Sequence, residues 1–419
     1  MSTVPYFRGS PIVGVLPALA SNPVGTLFRF AATPVSKIRM GRLDVLTTHR
    51  PELADTVLRA DHKSYDKGGT IWTSFRKYLG AGLPFAERET WRRSRKAMGS
   101  SMRPQAVADM VSVITRAVEG EAEREEIGQD WTLVDVGDWL ERISMAVVCQ
   151  AVLGMPASYQ PAGNIGGMLD DILNASFVET VVPKALSWPR FDLRYKGRRG
   201  AAAVRAEAER IIGTRCQLPA GPDVLHSLLL TPGMPHGQLV NDVVALFSAG
   251  FETTATGLLW TLMFLAEHQD SQWVALVDPV GYGERAFREA IRLRPPAWWT
   301  PRTAVQDTEL GGVPVKAGDS VAVVNVTTNR YVPGWSRPDE FNPSRFIGAD
   351  SDIGAAADLS FGTGPRACVG KYIAKAEARA ALAALLSRYE FRNVDGMPHA
   401  VLKATLAPAT PRMLVRRRR

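Results

Sequence analysis

The chain has 419 residues, 46% of them apolar and 22% charged, with a formal net charge of +8. That composition excludes general disorder, and a chain of this length can enclose a large cofactor in an apolar interior. The three cysteines, Cys149, Cys216 and Cys368, lie too far apart for a disulfide framework, a zinc ribbon, a Cys-x-x-Cys redox pair or a c-type haem attachment.

The opening residues are broken by Pro5, Pro11, Pro17 and Pro23 and lack a basic leader. They predict neither a signal peptide nor a membrane anchor, and the expectation is a cytoplasmic protein. Short apolar runs such as Leu43-Asp44-Val45-Leu46 predict a small sheet near the N-terminus. From Arg88 onward, apolar residues at helical spacing predict helices over 88–100, 104–126, 133–154, 164–178, 197–216 and 238–267. A further helix from Glu284 to Leu293 must stop at Pro295-Pro296. Strands are expected at Val313-Val315 and Val321-Val324, then a long coil from Asn325 to Gly364. A last helix should follow Cys368 and run to about Tyr389, with a hairpin over 398–416. The terminal run Arg416–Arg419 reads as a solvated tail. No repeat or low-complexity linker divides the chain, so one mainly helical domain with a minor β-sheet region is expected over 1–419. Nucleic-acid binding finds no supporting pattern, and an acidic protein partner suits the basic excess better.

A coil as long as 325–364 needs something large to organise it. The cysteine behind it supplies a candidate. In Phe361-Gly-Thr-Gly-Pro-Arg-Ala-Cys-Val-Gly370, the glycines Gly362, Gly364 and Gly370 clear side chains from around Cys368. Arg366 and a helix start favour negative charge there, and Phe361 offers an apolar wall. A thiolate so placed suits a soft metal. With no second cysteine or histidine nearby, the metal must bring its other ligands, as in a porphyrin. Rival readings fit less well. Gly362-x-Gly364-x-x-Ala367 lacks the strand a dinucleotide turn requires, and so does Gly281-x-Gly283-x-x-Ala286. Gly364 to Gly370-Lys371 has the wrong spacing for a phosphate loop, with Tyr372 where Ser or Thr belongs. A buried structural thiol is the plain alternative.

The segment resembles the haem-binding loop of cytochromes P-450, Phe-x-x-Gly-x-Arg-x-Cys-x-Gly, at every specified position. Further signatures follow the family's order. Trp91-x-x-x-Arg95 falls on one helix face, and the resemblance implies that both bind haem propionates. Lys67, in Tyr65-Asp66-Lys67, and Arg302 resemble further propionate ligands. Ala249-Gly250-Phe251-Glu252-Thr253-Thr254 resembles the segment beside the iron. It implies a proton relay through Glu252 and Thr253, with Gly250 leaving room for dioxygen; a threonine bonded back to its own helix is the plainer reading. Glu289-x-x-Arg292 resembles a buried structural pair joined by an arginine from the coil, here Arg345. The chain departs from many members at Asn329-Arg-Tyr-Val-Pro333.

The resemblance covers about residues 10–415 and leaves nothing for a fused reductase. It implies a haem-thiolate monooxygenase that carries haem b (iron protoporphyrin IX), with Cys368 as metal ligand. Dioxygen and a hydrophobic small molecule, such as a natural-product intermediate, would be its substrates. Electrons would come from NAD(P)H through a reductase and an acidic ferredoxin. Oxidative coupling or rearrangement without net oxygen insertion is an alternative within the fold, and a haem-containing binding or sensor protein an alternative outside it. The segments expected to line the pocket are 69–86, 170–182, Ala245-Phe251, Ala297-Thr300 and Thr405-Leu406.

Overall fold

Helix His236–Glu267 has 32 residues and is apolar on almost every side, so only a packed interior can hold it. In the computed structural model, which describes residues 4–182, 191–347 and 359–419, the other helices gather around it. It packs against Val136–Val147, Glu284–Leu293 and Phe191–Arg215, and Leu258, Trp260, Leu262 and Leu265 are fully buried along it. The helix is long and apolar enough to cross a membrane, but 72% of its most apolar window lies inside the protein.

The expected helices form with shifted ends: Arg88–Ser101, Pro104–Ala122, Ile165–Val181, Phe191–Arg215 and Lys371–Arg388. Glu284–Leu293 stops where the two prolines require. The helix expected over 133–154 is corrected. Thr132–Asp135 is a strand, Val136–Val147 is α-helix, and Val148–Val152 widens into a π-turn. Asp135 makes the break, because its carboxylate caps the helix by accepting from the Asp138 N–H at 3.0 Å. Helix Gly69–Leu79 was assigned to no element by the sequence pattern.

The β-structure is small and non-local. A six-stranded sheet runs in the order Tyr6–Phe7, Val35–Met40, Leu43–Thr48, Ser320–Val323, Thr300–Ala304, Tyr65–Asp66. Val313–Val315 pairs with Thr308–Leu310. The C-terminal hairpin is narrower than 398–416: only Ala400–Leu402 and Leu406–Pro408 form it. Strand Arg412–Arg417 instead lies between Tyr389–Arg392 and Thr132–Asp135. The solvated-tail reading of the arginine run is corrected with it. Arg416 donates to Glu390 at 2.6 Å and lies over the Trp131 ring, and Arg418 donates to the Leu386 carbonyl at 3.1 Å. Within the expected coil, Asn325–Thr328, Pro343–Phe346 and Leu359–Phe361 are short helical turns, while 348–358 lies outside the described residues.

Candidate functional site

The loop before helix Lys371–Arg388 is shaped by glycine. Gly362 and Gly364 take φ of +68° and +72°, which L side chains rarely adopt. At Gly364 a Cβ would also stand 2.1 Å from the Leu58 carbonyl oxygen, so the loop lies flat on that turn. The Cys368 N–H donates to the Phe361 carbonyl at 2.8 Å, closing the loop on itself. The helix starts three residues after the cysteine, with Gly370 as its cap, and nothing stands within 4 Å of where a Gly370 side chain would begin. Cys368 keeps accessible surface although protein atoms surround it closely. That enclosure raises its pKa by desolvation. The backbone N–H groups of Gly370 and Lys371, with the charges of Arg95 and Lys371, act in the opposite direction and favour a thiolate.

Cations, Arg302 buried and Lys67, Arg95 and Arg366 half-buried, collect beside this loop. The Arg366 guanidinium donates to the Ala86 carbonyl at 2.6 Å and to Glu87 at 2.9 Å, and lies over the Trp91 ring at 4.4 Å. Arg95 donates to the Ala367 carbonyl at 2.8 Å. Arg302 is buried, with the Pro301 carbonyl accepting from it at 2.8 Å. Lys67 donates to the Pro84 carbonyl at 2.5 Å and faces the Trp72 ring. Desolvation and then repulsion from Arg302 and Arg366 push the Lys67 ammonium well below its usual range. Desolvation and Arg366 likewise lower Arg302 to about 10. Glu87 and Asp66 are the carboxylates that act on Arg302 and Arg366. Four cations against two acids leave a surplus of positive charge in a poorly solvated place.

A cysteine beside buried and half-buried cations fits an iron porphyrin, whose iron would take the sulfur and whose two propionates would meet the cations. Cys368 would hold the iron, and Lys67, Arg95, Arg302 and Arg366 are placed to meet carboxylates, with the Trp91 ring supporting Arg366.

The structural triad forms as expected. Glu289 and Arg292 are fully buried and joined at 2.7 and 2.9 Å, and Arg345 reaches Glu289 at 3.1 Å. Asn329 and the Asn342 N–H join them: Asn342 donates to Glu289 at 3.0 Å, and the Asn329 carbonyl accepts from Arg292 at 3.3 Å.

On helix His236–Glu267 the expected residues take distinct surroundings. Thr253 donates to the Ala249 carbonyl at 2.8 Å, so its hydroxyl hydrogen is committed to its own helix and its lone pairs are free to accept. Glu252 is buried and points elsewhere, accepting from Thr405 at 2.8 Å. At Gly250 a Cβ would stand 2.9 Å from Val148 Cγ2, so this helix packs closely against Val148 there. Several of the expected pocket segments converge on this helix. Gly82 lies against Asn241 and Ala245, the Leu83 N–H donates to Asp242 at 2.8 Å, and the Leu406 carbonyl accepts from Trp260 at 2.9 Å. Asp242 also accepts from Ser94 at 2.6 Å, which ties helix Arg88–Ser101 to the same point. Glu87, Asp242 and Thr405 were not assigned by sequence to these contacts. Their partners are remote in the chain, and only the helix-start position of Glu87 was a local signal.

Comparison with known proteins agrees with this geometry. Residues 4–273 and 278–414 match the family model described as Cytochrome P450. The chain is 27% identical to cyclooctatin synthase of Streptomyces melanosporofaciens, over 96% of this chain and 93% of that one. It is 25% identical to pentalenene oxygenase of Streptomyces avermitilis, over 90% and 89%. The solved haem domain of cytochrome P450DA superposes with a TM-score of 0.84 at 21% identity, covering 100% of this chain and 98% of that one. The chain belongs to the cytochrome P450 family and is an oxidoreductase of that class.

Proposed function

We propose that this protein is a haem b monooxygenase that oxidises a hydrophobic terpenoid intermediate. The observation that carries the reading is the Cys368 sulfur, hydrogen-bonded by the backbone N–H groups of Gly370 and Lys371, beside a cluster of buried and half-buried cations. Bound haem would supply dioxygen activation and oxygen transfer. The chain's residues divide the remaining work. Cys368 holds the iron, and Lys67, Arg95, Arg302 and Arg366 hold the propionates. Phe361 and Trp91 cover apolar surface. Thr253 accepts a hydrogen bond near the reacting centre, and Glu252 supplies protons. The terpenoid class is supported by the relatives named for cyclooctatin and pentalenene and by the apolar residues of the converging segments.

In the same reading the chain is one domain, works in the cytoplasm, and receives NAD(P)H electrons from a reductase through an acidic ferredoxin. Arg92 and Lys96 are exposed on helix Arg88–Ser101, the helix that carries Trp91 and Arg95, and suit such a partner.

The test is a carbon monoxide difference spectrum of the reduced protein, with Cys368→Ala beside it, followed by product analysis on a terpenoid panel with NADPH. A thiolate band lost in Cys368→Ala, with oxygenated product from wild type alone, is expected. A band retained in the variant overturns the ligand assignment. Haem binding without any oxygenated or rearranged product favours a binding or sensor protein.

A further inference from the structure

Glu252 and Thr253 are neighbours in sequence, but their side chains point apart. Successive helix residues diverge by ~100°, and here one turns to Thr405 while the other bonds back to Ala249. Thr405 stands 153 residues further along, in the turn between strands Ala400–Leu402 and Leu406–Pro408, and is itself buried. That turn is pinned from two sides. The Leu406 N–H donates to the Pro296 carbonyl at 3.0 Å, and the Leu406 carbonyl accepts from Trp260 Nε1 at 2.9 Å. Trp260 lies two turns beyond Glu252 on the same helix. The Lys403 N–H closes the turn on the Thr405 carbonyl at 2.9 Å. The hydroxyl of Thr405 is therefore held at a fixed place opposite the carboxyl.

The charged groups acting on Glu252 come from three other elements. They are Asp170 on helix Ile165–Val181, Glu141 on helix Val136–Val147, and Lys403 on the turn itself. All three are exposed, while Glu252 is buried. A buried carboxyl thus feels the charges of two exposed acids and one exposed base.

We propose that Thr405 is the positioning residue for Glu252, fixing its carboxyl against the 403–405 turn, where protons from solvent reach it past Asp170, Glu141 and Lys403. The inference rests on the monooxygenase reading above, in which Glu252 supplies protons. Burial raises the Glu252 pKa to about 7, and the Thr405 hydrogen bond opposes that rise by favouring the ionised form. Removing the donor should therefore push the carboxyl further up.

The test combines a readout that needs no turnover with one that does. The protonated carboxyl of Glu252 is followed by infrared titration of the haem-loaded protein without NADPH, identified as the C=O band that Glu252→Gln removes. Thr405→Val keeps shape and removes the donor; Thr405→Ala takes its place if the valine variant does not fold. The band's midpoint should rise by about one pH unit in either variant and return in Thr405→Ser. In the loaded enzyme, product formed per NADPH should fall about threefold near neutral pH, with its pH profile displaced in the same direction and restored by serine. A midpoint that does not move in a folded donor-less variant overturns the positioning role, whatever the turnover. A moved midpoint with an unchanged pH profile of product per NADPH overturns the part in proton supply. Absence of a thiolate band in wild type overturns the underlying monooxygenase reading instead, so the two failures are distinguishable.

Discussion

Arg345 donates from Nε to Glu289 Oε1 at 3.1 Å, with both side chains buried and 56 positions apart in the chain. This bond joins the loop Pro343–Phe346 to helix Glu284–Leu293, and Arg292 completes the same carboxylate from one turn away. Glu289→Gln would leave two buried guanidinium groups short of their counter-charge. The expected loss of unfolding free energy is about 3–5 kcal/mol, read from urea unfolding followed by tryptophan fluorescence. A loss near that of a surface pair would show that the triad contributes nothing to holding the loop.

Arg302 poses an opposite case, because it is buried among like charges. Arg302→Leu should raise the thermal midpoint of the apoprotein, since one uncompensated cation is removed from a poorly solvated place. The same change should speed haem transfer to excess apomyoglobin by roughly tenfold, the cost of one charge-assisted bond. A variant in which both quantities fall together would contradict a propionate-binding role.

Glu377 is fully enclosed on helix Lys371–Arg388, with Ser144 donating to it at 2.5 Å, and burial pushes its carboxyl up to about 8. The folded state therefore holds this proton more tightly than the unfolded chain, whose carboxyl titrates near 4.5. The contribution is fully present below that unfolded value. It falls as pH rises, and is lost once pH passes the folded value near 8. Glu377→Gln keeps the shape and abolishes the titration. Wild-type stability minus variant stability should decline steadily between pH 5 and 8. A flat difference would mean that Glu377 is already ionised in the folded protein.

Arg92 and Lys96 are exposed on the helix that carries Trp91 and Arg95, while Arg93 is half-buried and reaches the Gly233 carbonyl at 3.4 Å. Charge reversal at the exposed pair, Arg92→Glu with Lys96→Glu, should slow haem reduction by an acidic ferredoxin at low salt. The wild-type rate should fall as salt is added, because exposed charges are screened within ~8–10 Å at physiological ionic strength. Stopped-flow rates that are independent of both salt and charge would move the docking site elsewhere.

The cysteine loop was legible because its requirements are local: three glycines, one arginine and one thiol within ten positions can be read without a fold. Glu289 and Arg292 were legible for the same reason, through helical spacing. Strand Thr132–Asp135 was not, since its partner is Arg412–Arg417 and its apolar residues also suit the helix that follows. Glu87 and Thr405 escaped because an acid before a helix and a threonine in a turn have ordinary local uses. Their contacts with Arg366 and Glu252 exist only after distant segments have met.

The six-stranded sheet places Ser320–Val323 beside Leu43–Thr48, and Thr300–Ala304 beside Tyr65–Asp66. The sheet thus joins four strands from the first third of the chain with two from the last. Two fragments expressed from a split placed among the intervening helices would each display raw strand edges that only the other can satisfy. Such fragments should be poorly soluble apart and recover haem binding only when produced together. Loop closure over that distance also makes the sheet a late step in folding.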